Sequence, residues 1–302
     1  MATAVVLRRR GVRWSELVVK GVLAAAALVS IATTLGIVAA LLEPAIEFFR
    51  DVDVVDFLTG TNWSPLFEPA SFGVQPLVVG TLLVTLVACG VAIPFGLGAA
   101  IFVSEYAGRR TRKVLKPALE TLAGVPTVVY GFFGFVFVTP LLRDIGIEVD
   151  FFNALAAGLV MGVMVLPTVA SLSEDALTAV PQSLRDGAYA LGSSKLQVST
   201  RIVVPAAVSG IVASFVLGIS RAVGETMIAL LVAGTLPNLT WDPREQVETM
   251  AAFIAATGQG DVPQGTIEYK TIFAVGLTLF LLTLVMNVFA VRLVRRYREV
   301  YE

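Results

Sequence analysis

Two charged residues set four apart inside an apolar run, Arg221 and Glu225, are the side chains of this sequence best placed to do chemistry. A guanidinium offers paired N–H donors that match the oxygens of an oxyanion. Spacing of four puts both groups on one face of a continuous helix, where they can pair. A charge at that depth costs about 2.5–3.5 kcal/mol on insertion scales, so both should face protein or a water-filled path. Counted from Pro205 at the helical rise, Arg221 lies about 24 Å along, past the midplane. Two roles fit. Arg221 meets a passing anion while Glu225 holds it in the anion's absence and repels one that lingers, or the two form a static bridge that locks the helix. Hydroxyls at Thr81, Thr85, Thr127, Thr168 and Thr226 could assist an oxyanion, although such hydroxyls commonly bond their own helix carbonyls. Glu120 is another acid near a span end, with Lys116 four residues before it.

Other chemistry is excluded. The chain has no histidine, which removes His-ligated haem, His-containing zinc motifs and Ser-His or Cys-His catalysis. Its one cysteine, Cys89, lies in an apolar run and reads as a small core residue. Gly258-Gln259-Gly260-Asp261 matches a short intramembrane-protease pattern but lies in a polar loop without a second embedded aspartate, so it reads as chance. No G-x-x-x-x-G-K-[ST] is present, so the chain binds no nucleotide by that route and is not an enzyme by itself. A net charge of −1 gives no reason to expect nucleic acid.

These groups must be positioned by helices in a membrane. Of 302 residues, 56% are hydrophobic and 15% charged, a surface suited to lipid. Six segments reach the ~20 residues needed to cross: about 17–42, 74–104, 117–142, 153–173, 206–233 and 271–293. The first is too long for a signal-peptide core and reads as a retained anchor. Seventeen of the 22 basic residues fall on one side, among them Arg8, Arg9, Arg10, Arg13, Arg109, Arg110, Arg112, Lys116, Arg185, Lys195, Arg201 and Arg298. The positive-inside rule makes that side, with both termini, cytoplasmic. The expected fold is therefore an all-α integral membrane protein of six transmembrane helices. Long outer loops at 43–73 and 234–270 carry turn residues and tryptophans that suit either an ordered partner surface or a plain linker. Gly158 and Gly162, and Gly210, Ser214 and Gly218, form small-residue stripes for close helix packing, within the chain or against another subunit.

The polar interval 174–205 between spans four and five should form two short helices. Leu177, Val180, Leu184, Ala188 and Leu191 recur at helical spacing. Pro181 suits a first turn, Gly192 a helix end, and Ser193 or Ser194 the next cap. The stripe needs burial against something, while Arg185, Asp186, Lys195 and Arg201 stay available outside it.

Asp186-Gly187-Ala188, Gly192 and Ile202-Val203-Val204-Pro205 resemble the E-A-A-x3-G-x9-I-x-L-P loop of binding-protein-dependent ABC importer permeases, with every gap preserved. Asp stands for Glu, Gly for Ala and Val for Leu; the glycine loosens the helix by up to about 1 kcal/mol. Three further stretches, 122–134, 166–177 and 220–227, are similar to phosphate importer permeases, and to the PstC branch more than the PstA branch. That resemblance implies a coupling loop through Asp186, Gly187, Ala188, Gly192 and Pro205, which docks on a PstB-like ATPase dimer. It also implies a PstA-like second permease as heterodimer partner and a PstS-like phosphate-binding protein at the outer loops. ATP and magnesium would be used by the ATPase, leaving no cofactor on this chain. The implied location is a prokaryotic cytoplasmic membrane. The division expected is a basic N-terminus (1–16), a first span with outer loop (17–73), a permease core (74–293) and a cytoplasmic tail (294–302). A permease for molybdate, sulfate or phosphonate, or an uncoupled anion channel, remains the alternative.

Overall fold

An apolar run in hydrocarbon leaves the backbone no partner but itself, and the chain answers with helices. The computed structural model describes residues 14–296. Arg8, Arg9, Arg10, Arg13 and Arg298, and most of the two tails, lie outside the described residues. The helices are α1 (Trp14–Asp51), α2 (Val54–Thr59), α3 (Gln75–Ile101), α4 (Arg109–Ala123), α5 (Thr127–Phe133), α6 (Thr139–Asp144) and α7 (Ala154–Thr178). After them come α8 (Gln182–Ala190), α9 (Lys195–Val198), α10 (Val204–Ala206), α11 (Val208–Val223), α12 (Met250–Gln259) and α13 (Ile267–Arg296). Among the described residues the only strands are β1 (Trp63–Ser64) and β2 (Ser71–Phe72), an antiparallel ribbon.

The all-α expectation holds. Five helical stretches are long and apolar enough to cross a membrane, and a sixth qualifies if Lys195–Ala206 and Val208–Val223, bent by 70°, count as one. Three boundaries differ from the sequence reading. The first helix runs on to Asp51 through Pro44 rather than ending near residue 42. The third span starts at Thr127, not 117, because α4 is a separate amphipathic helix with no buried residue, ended at Gly124 before Pro126. The fifth is broken twice. It bends at Ala207, and α11 stops at Val223, with helical structure resuming only at Met227.

Helix α7 is the central post, packed against α3, α4 and α11. Both small-residue stripes are spent inside the chain. A Cβ on Gly158 would lie 2.5 Å from Val87, and one on Gly162 2.8 Å from Val91, so this pair seats α7 on α3. Gly210 stands 2.5 Å from Ala176 by the same measure, and Ser214 hydrogen-bonds Ser173 at 2.7 Å, closing α11 on α7. Without a hydrophobic drive between helices in lipid, such close approach is what holds them together. Gly158→Leu is therefore expected to abolish accumulation of folded protein in the membrane. Gly98→Leu, with nothing within 4 Å, should leave it unchanged; quantitative immunoblotting of membranes checks both.

A second core of aromatic edges lies at the end of the bundle that carries the 43–74 segment. Phe48, Phe57, Trp63, Phe72 and Phe253 stack edge to face with centroids 5.0–6.1 Å apart. The tryptophan of this loop is buried core, not open surface.

Candidate functional site

Helix α11 runs from the bend at Ala207 to Val223, where Gly224 closes it. Arg221 therefore sits on the last turn, about 20 Å from Val208 at 1.5 Å per residue. Its Nη1 donates to Thr168 Oγ1 of α7 at 3.2 Å, and the side chain is exposed on the face of the lone chain. The Tyr130 hydroxyl donates to Leu122 O (2.8 Å) across the break before α5.

The expected Arg221–Glu225 pair is not formed. The helix ends between them, so spacing of four no longer puts them on one face. Glu225 instead turns forward, accepting from the backbone N–H groups of Met227 (3.1 Å) and Ile228 (3.4 Å) at the start of the resumed segment. A carboxylate there satisfies amides that a helix start leaves free. Thr226 donates weakly to Gly224 O at 3.4 Å. Thr127 is the first residue of α5, just after the other break. Gly131 of α5 packs on Leu231, so the two broken segments lie side by side. Arg221, Thr168, Thr226 and Glu225 thus share one neighbourhood. Thr81 does not belong to it: it is buried, donates to Leu77 O (2.7 Å) and accepts from Met250 N (3.0 Å). Glu120 does not pair with Lys116, which bonds Glu174 (2.8 Å) and Asp175 (3.4 Å) on α7. The Glu174 hydrogen bond holds the Lys116 ammonium above its usual range. Arg112 joins the same carboxylate, clamping α4 to the end of α7.

The polar interval folds as two short helices with the expected punctuation. Pro181 precedes α8, Gly192 takes the left-handed φ of +81° that favours glycine, and Ser194 forms a capping box with Gln197. The apolar stripe is satisfied within the chain. Leu177, Val180 and Ala188 are buried with Ala100, Val198, Val203 and Ile211, and Leu184 packs against that core. Ala188 is thus unavailable to a partner. Leu191 departs from the stripe altogether, at 89% exposed. Arg185 is not free either. It is buried, with Nη2 on Glu105 (2.9 Å) and Leu177 O (2.8 Å) and Nη1 on Val180 O (2.6 Å). Exposed around Gly192 are, among others, Asp186, Gly187, Tyr189, Leu191, Lys195 and Leu196, with Arg201 and Pro205 further along. Tyr189 and Leu196 were not singled out in the sequence; an exposed leucine is indistinguishable from a core one until the helices are placed.

Comparison with known proteins gives a consistent picture. Residues 92–299 match the model of the family described as binding-protein-dependent transport system inner membrane component. The chain is 34% identical over 276 residues to the probable ABC transporter permease protein YqgH of Bacillus subtilis, covering 91% of this chain and 88% of that protein. It is 34% identical over 261 residues to the phosphate transport system permease protein PstC of Xylella fastidiosa, covering 78% and 77%. Among solved structures, a chain of a bacterial alginate ABC transporter aligns with a TM-score of 0.64 at 18% identity, over 94% of this chain and 97% of that one.

Proposed function

Since the chain belongs to the family of binding-protein-dependent transport system inner membrane components, we propose that it is the PstC-type permease subunit of an ATP-driven importer of inorganic phosphate. The observation that carries the substrate is Arg221. It is an exposed guanidinium with one hydrogen bond to Thr168 and no carboxylate partner among the described residues, set where span five breaks. Most of its five N–H donors are uncommitted and match a phosphate oxygen pair. Its curated relatives include permeases named for phosphate transport at 30–34% identity.

Six spans with both termini cytoplasmic are the topology that the basic asymmetry supports, counting the bent pair as one crossing. The permease core is residues 74–293. Phosphate passes along the open face that carries Arg221, a face that a PstA-like second permease covers. Thr168 and Thr226 line this path, and Thr127 stands at its break. Glu225 holds the restarted helix and repels a second anion; it is not the resting clamp on Arg221. On the cytoplasmic side Asp186, Gly187, Tyr189, Leu191 and Leu196 dock on a PstB-like ATPase, while Arg185 and Glu105 transmit its movement to span two. A PstS-like binding protein delivers phosphate from outside. ATP closure then rocks the spans and exposes the path to alternate sides.

Affinity purification from detergent-solubilised membranes tests the assembly. A tagged copy of this chain should bring down a second permease of the same family and an ATPase. Recovery of this chain only as a self-dimer without an ATPase would refute the importer reading and favour an uncoupled channel.

A further inference from the structure

At the outer end of the bundle, the 247–250 segment lies directly on α3. Glu248 O occupies the place of a side chain at Gly80, 2.4 Å from where a Cβ would stand, and Met250 N donates to Thr81 Oγ1 (3.0 Å). Val247 N bonds Ala233 O at 3.2 Å. The backbone is therefore fixed, and it holds the Glu248 side chain in a cavity of about 500 Å³. Trp63, Leu66, Phe253, Thr257 and Asp261 form its wall, and no basic residue lines it. Glu248 is 4% exposed and, among the described residues, makes no hydrogen bond or ion pair. Burial alone pushes its carboxyl up to about 8. In the same wall the Trp63 indole N–H is buried with no acceptor. Burying the Glu248 carboxyl without a partner costs free energy that an apolar side chain there would avoid. The arrangement makes sense if a ligand completes it.

The surroundings say which ligand. Residues 43–73 carry six acidic side chains and one basic, and residues 234–270 carry five and two. An outer face of that sign repels free phosphate and attracts a basic protein surface. An arriving cation would also favour the ionised form of Glu248. The aromatic wall suits an ammonium or guanidinium with its alkyl stem.

We infer that the Glu248 cavity is the seat for one lysine or arginine side chain of the protein that delivers substrate to the outer face. The inference rests on the importer reading above. Docking there would tie the delivery step to α12 and to the Thr81 contact on span two, both on the side of the bundle that must open.

The test uses the assembled transporter in nanodiscs and the phosphate-loaded binding protein of the same system as probe, with Kd read by interferometry. Glu248→Gln is expected to raise Kd at least tenfold without altering assembly or basal ATPase activity. Ala256→Phe, which fills the cavity from its rim, should do the same and decides the matter if the first variant assembles poorly. A double-mutant cycle should find one basic residue of the binding protein whose loss removes the Glu248→Gln effect. Two results overturn the inference. One is a Kd within twofold of wild type in both variants. The other is competition by millimolar spermidine with no coupled basic residue, which would make the cavity a small-cation site. If the wild-type transporter fails to accumulate phosphate at all, the importer reading falls instead; if it does accumulate phosphate, an unchanged Kd sinks only the cavity.

Discussion

Arg221→Glu is expected to abolish phosphate uptake while this chain and its partners remain in the membrane at wild-type levels. Charge reversal does two things at once on the transport face. It removes donors that would pair with the anion, and it puts a second carboxylate near Glu225, which already caps the segment starting at Met227. A hydrogen bond to a charged group contributes about 1.5–3 kcal/mol, so Arg221→Ala should cost roughly ten- to a hundredfold in uptake, with reversal beyond that. Arg221→Lys keeps the charge but loses the fork, and should fall between. Folding is spared because Arg221 is exposed and, among the described residues, its side chain makes one hydrogen bond, of 3.2 Å to Thr168. If Arg221 merely locked the helix, the variants would lose protein level and uptake together. Normal uptake by Arg221→Glu at normal level would end the substrate-path role outright.

Arg185→Ala should separate ATP hydrolysis from transport. Arg185 binds α8 to the end of span two through Glu105, and ties down the carbonyls of Leu177 and Val180 at the end of α7. Both charged side chains are nearly buried, at 11% and 5% exposed. Removing one partner leaves Glu105 as an uncompensated buried charge, a loss of about 3–5 kcal/mol. The coupling helix then moves without pulling span two. The expected phenotype is ATPase activity that no longer depends on loaded binding protein, with uptake at least tenfold lower. Glu105→Gln combined with Arg185→Ala should recover stability but not coupling. ATPase dependence and uptake both at wild-type values in Arg185→Ala would show that the pair is only local packing.

Much of the architecture could be read from residue order. Long apolar runs demand helices whatever their partners, and the coupling interval carried its own punctuation in Pro181, Gly192 and Ser194. The breaks could not be read in the same way. A hydropathy window averages across Gly124-Val125-Pro126 and Gly224-Glu225-Thr226, so spans three and five looked continuous. The Arg221–Glu225 pairing followed from that continuity and failed with it. Arg185 looked like a surface charge because its acceptors, Glu105 and two carbonyls, come from other parts of the chain. Likewise the stripe at 177–188 asked for a partner, but sequence spacing could not say that the partner is the chain's own Val198 and Ile211. Glu248 was hidden for a related reason. A lone acid in a polar loop reads as solvated, and only the missing side chain of Gly80 lets that loop bury it against α3.

The measurement closest to the central claim is radiolabelled phosphate uptake in cells lacking this chain, with and without its gene restored, against excess sulfate and molybdate. The account predicts that high-affinity uptake disappears with the chain, returns with it, and is unaffected by either competitor. Undiminished phosphate uptake without the chain, or restored uptake that molybdate or sulfate blocks, would contradict it.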